Sequence, residues 1–508
     1  MPPLSPWVWL IALAQVAALL ATASRYGYHR DELYFIVAGA HAAFGYPDQP
    51  PLVPLLCWAM HAIAPGSLLL LRTPSALASG ATSVLAALIA RELAGHAQEP
   101  AGQHEPAGQH EPAGGARAQV IAAACTACSA FALATGHTVS TTTFDMLSTT
   151  ALAWLAVRAV LRSSGASVLA AGVVVGLGVE AKPQVGLVAA AMACALLALG
   201  PRAPLRSRWA AAGALAAVAL AAPYLIWQQQ HGFPQAIVAK HIAGNEEGGR
   251  AGFVPFQLLF VSPVLVPVWL AGLLAPYRRP RWRALRFITL TYLALALIYL
   301  AGNGKAYYLA SLYPALLALG ALPAAQWSAR RARRTALLVA AVVLSGAVSA
   351  FIALPLLPQR DLQGSAVIAL NPVQGETVGW PRFVRTVAAA WRSIPPSQRR
   401  HTAIFTANYG EAGAVDVLGP QLQLALPRAY SGHNGFSEWG LPPARDTGAL
   451  LLGFEDAAEA APHFMRCRTL ARINDGVGLE NQEQGLPVML CRAARPWAAM
   501  WTQLRHYN

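Results

Sequence analysis

Acidic side chains are scarce in this chain and unevenly spread. Its 508 residues hold 23 Asp and Glu against 37 Lys and Arg, and only 12% of the sequence is charged, where an average soluble protein is about one-quarter charged. So little charge beside 56% hydrophobic residues excludes a disordered chain, and six cysteines in this length exclude a disulfide-built mini-domain. With a mean hydropathy of +0.42 and a formal net charge of +14, the composition also excludes an ordinary cytosolic enzyme. Twelve of the 23 acids lie after Leu357, in the last 151 residues, and Glu99, Glu105 and Glu111 share one low-complexity insert. Lysine is rarer still, with Lys182, Lys240 and Lys305 set against 34 arginines. The few carboxylates and lysines of the first 357 residues therefore need a reason to be there, because ionisable groups near a bilayer are costly.

What the first part has in abundance is long apolar runs. A bilayer core of about 30 Å needs about 20 such residues as helix. Runs near 7–23, 67–90, 118–135, 143–161, 166–180, 183–200, 209–228, 254–275, 286–302, 306–325 and 335–356 predict eleven spans. The first lacks the basic flank of a cleavable signal peptide and is read as a true span. With the N-terminus inside, the even-numbered connections carry Arg91, Arg117, Arg158, Arg162, Arg202, Arg206 and Arg208. They also carry the clusters Arg278, Arg279, Arg281, Arg283 and Arg330, Arg331, Arg333, Arg334. The odd connections hold far fewer, Arg25, Arg30, Lys182, Lys240, Arg250 and Lys305. This positive-inside asymmetry places everything after Leu357 outside the cytoplasm. The net charge is then mostly an orientation signal and calls for no nucleic acid.

The insert from Gly95 to Gly115 repeats the hexapeptide AGQHEP. Its Pro and Gly forbid a packed core, so it reads as a low-complexity, flexible cytoplasmic loop; its histidines could bind a metal but, at two per dozen residues, are read as idle. Residues 358–508 change pattern: short apolar runs in HTAIFTANYG, GALLLGFED and LPVMLCRA alternate with helical stretches such as WPRFVRTVAAAWRSI. That alternation predicts a small α/β domain. Cys125-x-x-Cys128 lies mid-span without a second pair and reads as packing rather than chemistry. Cys467 and Cys491 fall in the exported domain, where an oxidising compartment permits a disulfide, and are expected to pair.

The first external loop, RYGYHRDELYFIVAGAHAAFGYPDQPPLVPLL, is the informative stretch. It places Asp31, Glu32 and Asp48 within Arg25–Leu56, and the proline pair after Gln49 stiffens it. Carboxylates with substrate access suit general acid–base work, and an Asp-Glu pair at a helix start equally suits N-capping. Lys182, Lys240 and Lys305 all fall at external ends of spans, in the settings GLGVEAKPQ, IVAKHIAGNEEGGR and GNGKAYYLASLYP. Cations converging opposite carboxylates suit an anionic lipid headgroup and a reacting hydroxyl, the alternative being lysines that only snorkel. Asp145, in HTVSTTTFDMLSTT, either lines a cavity or bonds threonines of its own helix. NYGEAGAVDVLGP and AYSGHNGFSEWGLPP hold Glu411, His433, Asn434, Glu438 and Trp439 in Gly-rich loops, read as recognition or gating rather than catalysis, against a role in tight turns alone.

RDELYFIVAG followed by GYPDQPPLVPLL resembles bacterial members of the protein O-mannosyltransferase superfamily of GT-C glycosyltransferases (glycosyltransferase family 39-like), with the lipid A aminoarabinose transferases close by. The resemblance continues through GLGVEAKPQVGLV, HGFP with KHIAGN, KAYYLASLYPALLALGA, NYGEAGA and SGHNGFSEWG. It covers nearly all of the chain outside the insert. It implies a GT-C-type, all-α polytopic membrane domain over 1–357 and a small extracytoplasmic α/β domain over 358–508. It makes Asp31 the catalytic carboxylate, with Glu32 beside it as a second candidate. Asp48 matches a position that helps bind a metal in the aminoarabinose transferases, and His241 resembles the partnering His. The Lys that follows the acid there, contacting lipid phosphate, is Gln49 here. Lys182, Lys305 or Arg250 would supply the missing charge, and Tyr307 and Tyr308 match an aromatic position lining the donor cavity.

The implied reaction moves a sugar from a polyprenyl-phosphate carrier to a lipid, glycan or protein acceptor on the outer face of the inner or plasma membrane. It needs no cofactor, and a divalent metal is optional because protein cations can neutralise the leaving phosphate. No Gly-rich nucleotide loop is present, nor is one needed. The competing class is a lipid or sugar flippase, which shares the helices and membrane charges. A flippase often carries inverted repeats, and no repeat between halves is evident here.

Overall fold

The computed structural model describes residues 3–97, 113–244 and 249–507. Residues 98–112 of the low-complexity insert, and with them the AGQHEP repeats, lie outside the described residues. The chain folds as two compact units. The first comprises Met1–Thr22, Arg72–Leu225 and Ile242–Leu354; the second comprises Ala23–Leu71, Ile226–His241 and Pro355–Asn508. The first external loop and the segment ending in His241 thus belong to the same unit as the C-terminal residues.

The regular elements of the first unit, among the described residues, are all helices, as backbone in a bilayer must satisfy its own hydrogen bonds. Six helices among the described residues are long and apolar enough to cross a membrane, including Thr141–Arg162, Arg208–Gln230 and Ala332–Ala353; two bent pairs bring the number to eight if each is one span. The apolar runs near 118–135 and 254–275 are these bent pairs. Gly114–Ala127 meets Ala130–His137 at 58°, and Arg250–Val261 meets Pro263–Arg278 at 81°. The sharper break falls at Ser262, whose φ is 81°, just before a proline that cannot donate to the preceding turn. Pro6–Thr22, Gly165–Val179 and Gln184–Leu199 are apolar but shorter. The chain is a multi-pass membrane protein.

Two features lock the first unit. Helices Val266–Arg278 and Tyr313–Ala329 approach through Gly272 and Gly320: a methyl on either would run into a backbone carbonyl, Leu316 O or Val268 O respectively. Small residues at such crossings allow the dispersion contacts that hold helices together in lipid. Glu92, fully buried, accepts from Arg162 Nε at 2.5 Å and Arg158 Nη1 at 3.4 Å. This ties helix Leu68–Ala97 to Thr141–Arg162 and leaves the buried charge paired.

The C-terminal part of the second unit carries a five-stranded sheet of order β2-β1-β3-β5-β4. The strands are β1 (Thr402–Thr406), β2 (Ala429–Ser431), β3 (Gly448–Leu452), β4 (Phe464–Arg472) and β5 (Pro487–Ala493). β1 runs parallel to β2 and β3, whereas β5 is antiparallel to β3 and β4. All five residues of β1 are buried, as expected of a strand covered on both faces. Phe405, Leu451, Met489, Trp497 and Trp501 build the core against one face. β4 closes an edge with Arg466, Arg468 and Arg472, and charge on an edge discourages further strand pairing. A disulfide joins Cys467 on β4 to Cys491 on β5.

Candidate active site

Helix Arg30–Ala40 begins the site. His29 is its N-cap: the imidazole Nδ1 accepts from the Asp31 N–H at 3.2 Å, and the Glu32 carboxylate accepts from the His29 N–H at 2.8 Å. This is a capping box with histidine in the usual Ser/Thr place. Glu32 is fully buried, whereas the Asp31 side chain remains 33% exposed. The two acids that stand adjacent in sequence therefore differ in what they can reach.

Asp31 is held from three sides. Tyr409 Oη donates to Asp31 Oδ1 at 2.8 Å. His29 Nδ1 lies 3.7 Å from Oδ2, and Arg30 Nε lies 4.0 Å from Oδ1. Behind them, Glu376 Oε2 sits 2.9 Å from His29 Nε2 and 3.1 Å from Arg30 Nε. Arg30 Nη1 also donates to Gln482 Oε1 at 2.7 Å.

Asp48 has a matching tyrosine. Tyr34 Oη donates to Asp48 Oδ1 at 2.7 Å and itself accepts from the Gly435 N–H at 3.0 Å. Burial pushes the Asp48 carboxyl up to about 7, opposed by bonds from Tyr34 and Asn434 and reinforced by the charge of Asp31. The Tyr34 and Tyr409 rings lie 4.7 Å apart, and Tyr409 meets the His433 ring at 4.7 Å. Burial raises both phenols well above their ordinary value, and the nearby aspartates add to it. Both tyrosines thus keep their protons and donate them.

The other residues of the external loops have distinct places. Trp439 is half-buried and stacks on His41 at 4.5 Å. Glu438 bonds Arg505 and accepts from Tyr507 Oη at 2.7 Å. Glu411 is buried and caps helix Tyr409–Gln421 through the Asn408 N–H at 3.2 Å. Gln49 is buried, its carbonyl takes the Tyr46 N–H at 2.9 Å, and among the described residues no acceptor reaches its Nε2. His241 is exposed on helix Pro234–Gly244. Among the described residues no three His, Cys, Asp or Glu side chains gather as a metal-holding group, and one Asp48 oxygen is already taken by Tyr34. Asp48 and His241 belong to no such group among the described residues, and no step below is routed through a metal.

A second cluster lies in the first unit. Lys182 Nζ donates to Thr142 Oγ1 at 3.0 Å, lies 3.9 Å from Asp145 Oδ2, and sits 5.4 and 5.3 Å from the ring centres of Tyr307 and Tyr308. Asp145 Oδ1 accepts from Thr149 at 3.1 Å, so this acid bonds a threonine of its own helix and also faces a lysine. Three residues singled out by sequence, Lys182, Tyr307 and Tyr308, come together here. Arg250 is exposed with its guanidinium 3.4 Å from the Ala301 carbonyl. Lys305 leads the short turn Ala306–Leu312, its carbonyl accepting the Tyr308 N–H at 3.1 Å.

A family model described as dolichyl-phosphate-mannose-protein mannosyltransferase matches residues 113–227. No curated protein sequence gives a significant match. Among solved structures, ArnT from Cupriavidus metallidurans bound to undecaprenyl phosphate superposes with a TM-score of 0.60 at 12% identity, covering 96% of this chain and 98% of that one. This chain has the ArnT fold. Apo ArnT gives 0.58 at 13% identity, over 96% of this chain and 97% of that one. An Archaeoglobus fulgidus oligosaccharyltransferase tethered to an acceptor peptide gives 0.52 at 13% identity, over 83% of this chain and 63% of that one. The family model, ArnT and the oligosaccharyltransferase are all GT-C glycosyltransferases, the class that the first-loop motifs resemble.

The ArnT fold accounts for both a helical membrane part and a small C-terminal sheet. His29, Tyr34, Glu376 and Tyr409 are the functional candidates that sequence reading passed over. Tyr34 carried a signal, three residues beyond Asp31 and so on the same helix face. Tyr409 carried only its place behind the cap residue Asn408.

Proposed function

We propose that this protein is an integral-membrane glycosyltransferase that moves a sugar from a polyprenyl-phosphate carrier to an acceptor hydroxyl on the extracytoplasmic side, with Asp31 as its catalytic carboxylate. Eleven spans over residues 1–357 and an external domain over 358–508 complete the reading. The observation that carries it is the Asp31 environment: a partly exposed carboxylate with one oxygen fixed by Tyr409 and two basic side chains within 4.0 Å. Glu32 serves as the helix cap rather than as a second base, because its buried carboxylate already accepts the His29 N–H.

In the reaction, Asp31 accepts the proton of the acceptor hydroxyl as that oxygen attacks the anomeric carbon. The bond from that carbon to the phosphate oxygen breaks, and the lipid phosphate leaves as an anion. Fixed cations lower the cost of that charge, usually the largest single contribution of an active site. We assign that role to one of Lys182, which packs against Tyr307 and Tyr308, Lys305 and Arg250. The ligand named for ArnT, undecaprenyl phosphate, supports a lipid phosphate as the carrier.

The decisive experiment incubates the purified protein with polyprenyl-phosphate sugars labelled in the sugar and with lipid, glycan and peptide acceptors. Label should appear on an acceptor and free polyprenyl phosphate should accumulate. Translocation of an intact donor across a vesicle membrane, without cleavage of the sugar–phosphate bond, establishes a flippase instead.

A further inference from the structure

A helix N-cap needs an acceptor for the first-turn N–H groups, and Ser, Thr, Asp or Asn normally provides it. Here the acceptor is imidazole Nδ1, 3.2 Å from the Asp31 nitrogen. That bond requires a lone pair on Nδ1 and places the ring proton on Nε2. Nε2 in turn lies 2.9 Å from Glu376 Oε2, a carboxylate on the turn Pro372–Thr377. The Asp31 N–H on Nδ1 thus sets one neutral tautomer, with the Glu376 carboxylate beside Nε2 though not aligned as a hydrogen bond. Nδ1 also lies 3.7 Å from Asp31 Oδ2. One lone pair thus faces both the peptide N–H and the carboxylate of the same residue.

We propose that His29, oriented by Glu376, is a positioning residue for Asp31 and the outlet for the proton that Asp31 collects during transfer. The inference rests on Asp31 being the base. The proton taken from the acceptor hydroxyl passes from Asp31 Oδ2 to the Nδ1 lone pair. Nε2 releases its own proton to Glu376 Oε2, and Glu376, with 26% of its side chain exposed, gives it to water. Asp31 is a carboxylate again, and proton exchange with water, which takes the proton from Nδ1 and returns one to Nε2, restores the starting tautomer and completes the cycle. An Asn or Ser cap would hold the helix equally well but has no site for the proton.

The charges around the ring bear on this step. Burial pushes the imidazole down, but the carboxylates of Asp31, Glu376 and Glu32 outweigh it and raise it above the ordinary histidine value. Glu483 also faces the group, and Arg30 shares Glu376 Oε2 at 3.1 Å. Uptake needs the neutral ring, so activity falls as pH drops through the His29 titration. Removing the Glu376 charge lowers that titration and moves the acid limb of the rate profile to lower pH.

The test uses full-length protein in micelles with isotope-labelled histidine, the His29 signals being those lost in His29→Asn. Expected are a neutral ring protonated on Nε2 and a titration midpoint that falls by about half a pH unit or more in Glu376→Gln, one unit corresponding to about 1.4 kcal/mol. A ring protonated on Nδ1, or a midpoint unmoved in Glu376→Gln, overturns the proposal. In transfer assays with tritiated polyprenyl-phosphate mannose, His29→Asn should elute and melt like wild type yet lose about tenfold in kcat, less than the about 10²–10⁴-fold of a group that takes the substrate proton itself. Glu376→Gln should shift the acid limb downward. Wild-type profiles in both variants refute the outlet even if Asp31→Asn is inactive. Conversely, full activity in Asp31→Asn removes the base assignment while the titration still reports on His29. Should His29→Asn not fold, the Glu376→Gln limb alone decides.

Discussion

Asp31 and Asp48 each accept a tyrosine hydroxyl, at 2.8 and 2.7 Å, yet only Asp31 has His29 and Arg30 beside it. Burial pushes the Asp48 carboxyl up to about 7, while the Asp31 carboxylate stays partly exposed with the Arg30 guanidinium 4.0 Å away. Asp31→Asn should therefore cut transfer by about 10²–10⁴-fold, the usual loss of a positioned base, with expression and melting temperature unchanged. Tyr409→Phe removes a single hydrogen bond to the same carboxylate, worth about 1 kcal/mol, and should cost about fivefold. Rates of the two variants measured side by side check the order; an inactive Tyr409→Phe would make Tyr409 part of the chemistry rather than a support. Glu411 offers a stability test of the same kind. Burial, with the Glu483 charge added, pushes it up to about 8, against about 4.3 in an unfolded chain. Between those values the folded state holds a proton that the unfolded chain has released, so stability falls as pH rises through the window, by up to about 1.4 kcal/mol per pH unit. Glu411→Gln has no such proton to lose. Its melting temperature relative to wild type should rise from pH 5 to pH 8, and a flat difference would mean that Glu411 is ionised in the fold.

The helices of the first unit were legible because hydropathy alone selects them: the runs near 143–161, 209–228 and 335–356 appear as Thr141–Arg162, Arg208–Gln230 and Ala332–Ala353. A hydropathy window averages across a bend, so the breaks at Ser129 and Ser262 were not visible in it, although Pro263 marks the second. In the sheet, β1, β3 and β5 follow apolar runs, whereas β4 is arginine-rich and β2 is three residues long, and neither stands out by pattern. The site was half legible for a similar reason. Asp31, Asp48 and Lys182 stand out in an acid- and lysine-poor chain, but Tyr409 is 378 residues from the aspartate it bonds, and no local pattern announces such a pair. What brings them together is the packing of helix Tyr409–Gln421 on Arg30–Ala40, where a methyl on Gly413 would stand 3.0 Å from the Leu33 carbonyl carbon and 3.1 Å from its Cβ. Gly413→Val should force the helices apart, costing about 1–3 kcal/mol by overpacking. It should also lower transfer at least as far as Tyr409→Phe does. Thermal unfolding and the transfer assay read both effects, and a fully stable, fully active Gly413→Val would show that the close approach is dispensable.

At the scale of the whole molecule, the uneven distribution of acids acquires a structural meaning. The three first-loop carboxylates and the twelve beyond Leu357 all belong to the second compact unit. Composition could reveal the imbalance but not that the first loop joins the C-terminal segment, since that depends on a chain that leaves one unit and returns to it. The arginine clusters at 278–283 and 330–334 belong to the first unit, and the positive-inside rule assigns them to the cytoplasm. In that orientation Asp31 and its bonding partners work outside the cell membrane, where a lipid-linked donor is accessible and nucleotide sugars are absent. The orientation can be read directly by cysteine labelling, with the exposed Cys194 first replaced by Ser. Leu441 and Arg333 are both exposed, so Leu441→Cys and Arg333→Cys give one reporter in each unit. A membrane-impermeant maleimide applied to intact cells, or to spheroplasts where an outer membrane is present, should label Leu441→Cys at once. Arg333→Cys should react only after the membrane is permeabilised. The reverse pattern would put Asp31 in the cytoplasm and remove the polyprenyl-phosphate reading at its foundation, because the acceptor and the leaving lipid would then be on the wrong side.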